Sequence, residues 1–104
     1  MNETIKDCHR SEKWLEKYLR ARVAALGGVA LKFHSATSTG YPDRVCLMPG
    51  GHTLWVELKS TGCKPTRLQQ ARHAQMLELG HYAVVCDSQE SIDNVLATYD
   101  TIPF

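Results

Sequence analysis

The sequence predicts a mixed α/β domain whose elements follow the order αβββαβα. Two apolar runs flank the turn residues Pro49-Gly50-Gly51, which is typical of a β-hairpin. Helical periodicity precedes and follows this hairpin, and Tyr82-Ala83-Val84-Val85 is almost continuously apolar, as expected for a strand buried on both faces. Helices combined with such strands predict a three-layer domain with a mixed sheet.

The length and composition fit a single globular domain spanning residues 1–104. No apolar run approaches the ~20 residues that a membrane-spanning helix needs, and the N-terminus lacks the apolar stretch of a signal peptide. The four cysteines contain no C-x-x-C pair, so neither a zinc site nor a disulfide is expected. Cys46 and Cys86 fall in strand-like runs and are expected to be buried thiols. We therefore expect a cytoplasmic protein.

The first helix is predicted over residues 11–26, with Ser11 as its N-cap and Gly27-Gly28 after its end. Its apolar stripe consists of Leu15, Tyr18, Leu19, Val23 and Leu26.

Two acids lie at the edge of that stripe. Glu16 lies near Val23 at about 100° per residue, so its carboxylate could reach a site beside the sheet, and Glu12 shares the edge one turn earlier. Both have structural alternatives: Glu16 can pair with Arg20 at i,i+4, and Glu12 can interact with the helix dipole.

The centre of the chain reads as three strands. Residues 29–34 alternate as a strand, and residues 35–41 form a loop of small and polar side chains that leads into Pro42-Asp43. Residues 43–48 and 52–59 form the hairpin.

The last part of the chain reads as helix, strand and helix. After a loop that carries Lys64, a helix covers about residues 66–79 and ends at Gly80. A buried strand follows over residues 81–86, and Ser88 caps a final helix. That helix carries Ile92, Val95, Leu96 and Tyr99.

The register of the hairpin decides where its charged residues lie. A three-residue loop would pair Met48 with His52 and would place Asp43 opposite Glu57, with Cβ atoms about 5 Å apart on one face. Because side chains alternate along a strand, Lys59 shares the face of Glu57. A two-residue turn would shift the register by one and move Asp43 to the other face.

Two carboxylates and an ammonium group gathered on one face indicate a divalent-metal site. The carboxylates repel each other unless a cation lies between them, and hard oxygen ligands suit Mg²⁺ or Mn²⁺. Such a metal polarises a phosphodiester, and Lys59 would orient the attacking water or neutralise the transition state. The pattern therefore predicts a metal-dependent phosphodiesterase and a candidate nuclease. The alternative is an ordinary strand with exposed charges.

The charge distribution agrees with a polyanionic substrate. All twelve Lys and Arg residues lie in positions 1–72, which carry a net charge of +6, whereas positions 73–104 carry −5. The candidate phosphate contacts are Arg44, Lys64, Arg67 and Arg72. Arg44 is the weakest of them, because strand alternation points it away from Asp43. A solvated face with clustered charges is the alternative.

Four stretches, "EKYLRARVAALGG", "LKFHSATSTGYPDRVCLMPGG", "LWVELKSTG" and "LQQARHAQMLELG", together resemble the VRR-NUC (virus-type replication-repair nuclease) branch of the PD-(D/E)xK nuclease superfamily. The resemblance covers roughly residues 12–88. It implies an αβββαβ restriction-endonuclease-like core and a Mg²⁺- or Mn²⁺-dependent endodeoxyribonuclease.

The resemblance also assigns roles within the site. It implies four metal ligands, namely the side chains of Glu16, Asp43 and Glu57 and the main-chain carbonyl of Leu58. It makes Lys59 the catalytic lysine and gives Gln69 a supporting role, although Thr66-x-x-Gln69 is equally a capping box. Glu12 remains an alternative to Glu16. Tyr41 departs from the small aliphatic residue usual before the Pro-Asp pair and could contact substrate.

The resemblance extends to substrate and assembly. Small free-standing relatives occur in viruses and mobile elements and resemble homodimers that act on branched DNA, including four-way (Holliday) junctions. The resemblance implies that this chain also forms a homodimer that acts on branched DNA, in the cytoplasm of a bacterial or virus-infected cell. It implies neither a membrane partner nor a small-molecule cofactor. Interface candidates are Trp14, Trp55, Ile102 and Phe104, although burial is the expected fate of either tryptophan. The alternative is a non-catalytic nucleic-acid-binding module on the same fold that needs no metal.

Overall fold

The computed structural model describes residues 10–101, which form three helices and a four-stranded sheet. The elements in chain order are α1 (Glu12–Ala25), β1 (Val29–Lys32), β2 (Arg44–Met48), β3 (His52–Leu58), α2 (Arg67–Glu78), β4 (Tyr82–Cys86) and α3 (Gln89–Thr98). The predicted order αβββαβα is confirmed. Within this part of the chain, no helix combines the length and apolar character needed to cross a membrane.

The sheet has the strand order β1-β2-β3-β4, with β1, β2 and β3 antiparallel and β4 parallel to β3. Met48 pairs with His52 and Arg44 with Val56, so the three-residue register is confirmed. Gly50 makes this loop possible, since its φ of 84° lies in the left-handed region that side chains disfavour. Continued by one residue, the register places Asp43 opposite Glu57.

The hydrophobic core lies on one face of the sheet, between β2–β4 and the helices α1 and α3. Strand alternation sends Leu54, Val56 and Leu58 to this face, where all three are buried. Helical spacing brings Leu15, Leu19 and Val23 of α1 and the inner face of α3 against them, whereas Leu26, at the end of the predicted stripe, is exposed. The core consists of Leu15, Leu19, Val23, Cys46, Met48, Leu54, Val56, Leu58, Cys86, Ile92 and Leu96. The two strand cysteines are buried thiols, as predicted.

The helix α2 lies on the opposite face, where Gln69 reaches Glu57, so the domain has the predicted three layers. This face is only partly covered. Val29, Leu31 and Leu47 of β1 and β2 remain about half exposed.

The tryptophans are half-buried: Trp14 stacks on Tyr18 and Trp55 contacts the edge of Phe33. The other two interface candidates, Ile102 and Phe104, lie outside the described residues.

Candidate active site

Asp43 is held at the start of β2 by main-chain and side-chain contacts. Its Oδ1 accepts a hydrogen bond of 3.1 Å from the amide of Leu58, across the hairpin. Its Oδ2 lies 3.0 Å from the Nη1 of Arg44, and its carbonyl accepts from the amide of Phe33. The preceding Pro42 is fully buried. These contacts fix the carboxylate beside β3 before any ligand binds.

Arg44 does not point away from Asp43, so that expectation is wrong. Its side chain is almost fully buried, and Nη1 turns back to both the carboxylate and the carbonyl of Asp43. A long side chain can leave the face that its Cβ specifies, and a buried guanidinium must find a partner. Because this partner is Asp43, Arg44 positions the carboxylate and is not a favourable phosphate contact.

Glu57 on β3 is the most unusual group of the site, because this charged residue is only 4% exposed. Its Oε2 accepts a hydrogen bond of 3.2 Å from Gln69 and lies 3.7 Å from the Nζ of Lys59. Its Oε1 is buried and has no hydrogen-bond partner among the described residues. Burial and the charge of Asp43 raise the pKa of Glu57 to about 7, against the opposing effect of the Lys59 ammonium.

Gln69 makes the contacts that both interpretations of the sequence require. The Thr66 hydroxyl accepts a hydrogen bond of 3.1 Å from the main-chain amide of Gln69. The side-chain oxygen of Gln69 accepts one of 2.8 Å from the main-chain amide of Thr66, which completes a capping box. The remaining side-chain nitrogen of Gln69 donates to Glu57. The start of α2 and the Glu57 carboxylate are therefore fixed by one side chain.

Of the two first-helix acids, Glu12 is the one whose charge acts on Glu57, which favours the alternative over Glu16. The charge of Glu12 contributes to the raised pKa of Glu57, and its amide donates to the Ser60 Oγ at 3.2 Å. Glu16 instead lies 3.8 Å from Arg20 in the i,i+4 pair. Both acids lie on the edge of the stripe, and the rotation of α1 against the sheet decides which faces Glu57.

The donor set fits a divalent cation, although it is small. Within residues 10–101, no three His, Cys, Asp or Glu side chains are grouped closely enough to hold a metal ion. Asp43 and Glu57 alone provide two carboxylates, and the Leu58 carbonyl stays a predicted third ligand. The buried Oε1 of Glu57 has no hydrogen-bond partner within residues 10–101, and the Glu57 carboxylate is costly to ionise. A cation would remove both penalties.

The three predicted phosphate contacts other than Arg44 fall into two groups. Lys64 and Arg67 are exposed around the start of α2, where the helix dipole also favours anions. Arg72 is half-buried: its Nε donates to the Thr39 carbonyl at 3.1 Å, and its guanidinium lies 5.0 Å from the centre of the Tyr41 ring. Arg72 therefore supports the loop over residues 35–41.

No family model matches the sequence. The chain is 43% identical over 79 residues to a curated protein of Acyrthosiphon pisum secondary endosymbiont phage 1 named "Putative nuclease p44", a match that covers 76% of this chain and 85% of the relative. A solved structure described as a VRR_NUC domain superposes with a TM-score of 0.81 at 27% identity, covering 86% of this chain and 99% of that one. The fold is restriction-endonuclease-like, and the chain belongs to the VRR-NUC family of nuclease domains.

Proposed function

We propose that this protein is a Mg²⁺- or Mn²⁺-dependent endodeoxyribonuclease that cuts branched DNA, including four-way junctions. The observation that supports this most strongly is the state of Glu57. Its carboxylate is buried, one oxygen lacks a partner among the described residues, and Asp43 and Lys59 lie beside it. This arrangement opposes folding when the site is empty and becomes favourable with a divalent cation between the carboxylates.

Each residue of the site has a distinct task in this proposal. Asp43 and Glu57, with the carbonyl of Leu58, would hold the cation, which when bound polarises the phosphodiester and lowers the pKa of a water. The ammonium group of Lys59 stabilises negative charge that develops on the phosphate oxygens. Gln69 keeps the Glu57 carboxylate in position, so the site requires little rearrangement.

The proposed preference for branched DNA rests on the few contacts that a small domain can make with its substrate. Lys64 and Arg67 offer phosphate contacts beside the site, and such contacts read backbone shape and not base sequence. The half-exposed Val29, Leu31 and Leu47 form an apolar surface suited to a second copy of the chain. A two-fold dimer would present two active sites to the two strands of a junction.

The test is cleavage of labelled linear duplex, single strand, fork, flap and four-way junction in Mg²⁺, Mn²⁺ or EDTA. We expect metal-dependent cutting of the branched substrates, lost in Asp43→Asn, which preserves the size of the side chain and its acceptor for Leu58. Cutting in EDTA would contradict the metal requirement, and equal cutting of linear duplex would contradict the preference for branches. Metal-independent binding without cleavage would favour the non-catalytic module.

The same assay distinguishes the two first-helix acids. Replacing Glu12 by Gln removes a charge that acts on Glu57, and we expect a weaker metal affinity, seen as a higher Mg²⁺ concentration for half-maximal cleavage. Glu16→Gln is the matched control, because its carboxylate faces Arg20. A metal requirement that shifts only in Glu16→Gln would restore Glu16 as the ligand.

A further inference from the structure

An aromatic cavity of about 310 Å³ lies on the α2 side of the sheet, and the predicted site residues do not account for it. Three aromatic rings belong to its wall, together with the C-terminal end of α2 and two serines of the loop over residues 35–41. The lining residues include Phe33, Ser35, Ser38, Tyr41, Trp55 and His81.

The cavity adjoins the candidate active site. A second, smaller space of about 160 Å³ shares Phe33, Ser35, Ser38 and Tyr41 with it and is bounded by Asp43. Phe33 is also tied directly to the site, because its amide donates to the carbonyl of Asp43 at 2.9 Å. The aromatic cavity therefore opens towards the place where the phosphodiester is proposed to lie, and a group bound in the cavity would lie next to it.

The loop that forms the cavity wall is fixed to α2. The Tyr41 hydroxyl donates to Gln75 at 2.9 Å, and Arg72 binds the Thr39 carbonyl. Gly40 allows this close approach: a Cβ there would lie 2.7 Å from the Cγ of Leu68, and its φ is +92°. The cavity is thus preformed, so a ligand need not pay for ordering the loop.

We propose that this cavity receives one unpaired nucleobase of the DNA next to the phosphodiester that is cut. The proposal rests on the proposed nuclease function and narrows its substrate class. Aromatic rings stack on every base, while the Ser35 and Ser38 hydroxyls and the His81 imidazole can bond to base edges. The Arg72 guanidinium over Tyr41 adds positive charge at this wall, which suits the attached phosphate and not an uncharged apolar partner.

The substrate consequence is a requirement for an unpaired nucleotide. A base within a continuous duplex is stacked and paired and cannot enter the cavity without being extruded, whereas the first base of the single-stranded arm of a fork or flap is already unpaired. At a four-way junction, a base pair beside the crossover would have to open. Branched DNA would then be selected by a pocket that only an unpaired base can fill, in addition to backbone shape.

The experiment replaces the bases of a labelled DNA fork, one position at a time, by an abasic tetrahydrofuran residue. For the wild type, we expect one position next to the cut to lower cleavage by about 5- to 150-fold, the range for loss of one stacked base. In Tyr41→Ala, removal of the same base should have little further effect, and Tyr41→Phe should respond like the wild type. Equal responses of Tyr41→Ala and the wild type at every position would overturn the proposal.

Two controls separate the possible failures. Tyr18→Ala removes a half-buried tyrosine with a bonded hydroxyl on the other face of the sheet, so it matches the loss of side-chain volume and should keep the wild-type base dependence. The second control uses fluorescence anisotropy to measure how tightly the Lys59→Ala variant binds the same forks. This measurement does not depend on cleavage. Base-dependent binding without cleavage by the wild type would support the pocket and refute the nuclease. Cleavage without base dependence would do the reverse.

Discussion

Replacing Glu57 by Gln should stabilise the metal-free protein, and the gain should depend on pH. Raising the pKa of a carboxyl group from 4.5 to about 7 costs its charged form about 3 kcal/mol relative to the unfolded chain. Below pH 4.5 the group is protonated in both states and the cost is absent. As the pH rises through 7, the wild type loses this stability, because the unfolded chain releases its proton first. The amide of the Glu57→Gln variant cannot ionise, so the variant does not lose this stability.

The assay is urea unfolding of both proteins between pH 4 and 8.5 in EDTA. From pH 4 to 8.5, we expect the free energy of unfolding of the variant to rise relative to that of the wild type by about 3 kcal/mol. This is a large fraction of the stability of a small domain. Glu78→Gln, at an exposed position in the last turn of α2, is the matched control for the exchange and should follow the wild type.

Divalent metal should offset most of this difference in stability between the two proteins. A cation that binds the folded site stabilises it by about 2.7 kcal/mol at one hundred times its dissociation constant, and we expect this gain in the wild type but not in Glu57→Gln. If the free energies of unfolding of the two proteins in EDTA change with pH in parallel, the ionised Glu57 carboxylate does not destabilise the metal-free fold, and this prediction is refuted. An equal metal effect on both would refute its role as a ligand.

Two further predictions concern the supports of the site, both measured by urea unfolding. Gln69→Ala should lower the free energy of unfolding by about 1–2 kcal/mol, because it removes the capping box and a hydrogen bond to Glu57. Gln70→Ala removes one hydrogen bond to a main-chain carbonyl and should lower it by less. Equal losses would contradict the role of Gln69 in joining the start of α2 to Glu57. Gly40→Ala should cost about 2–4 kcal/mol from backbone strain and from contact with α2. Gly62→Ala is its control, since the φ of Gly62 is likewise positive at +90° but no atom of the described residues lies within 4 Å of its Cβ position. An equal cost of Gly62→Ala would show that backbone strain, and not contact with α2, sets the cost of Gly40→Ala.

The hairpin could be predicted from the sequence because its determinants are local. Loop length and glycine placement set the register, and the period of two then put Glu57 and Lys59 on one face. The capping box of α2 was likewise visible as a four-residue pattern. In one of the two registers that the sequence left open, the three-residue loop, these local rules bring Asp43 and Glu57 together and indicate their chemistry, and the structure adopts this register.

Three features depended on tertiary packing and could not be derived in this way. Glu12 and Glu16 share one helix edge, and only the rotation of α1 against the sheet separates them. The direction of Arg44 followed from its long side chain finding Asp43, not from strand alternation. The aromatic cavity exists because Tyr41 and its loop bond to residues more than thirty positions away, whereas the sequence indicated only that Tyr41 could contact substrate.

The most direct test of the central claim is the single-turnover rate at which Lys59→Ala cuts the preferred DNA in Mg²⁺. The Lys59 ammonium lies beside Glu57, and its loss should slow cleavage by roughly 100- to 1,000-fold. Folding and DNA affinity should change little, and Lys17→Ala, an exposed lysine on α1, should cut at the wild-type rate. Wild-type cleavage by Lys59→Ala would contradict the assignment of this site as the catalytic centre.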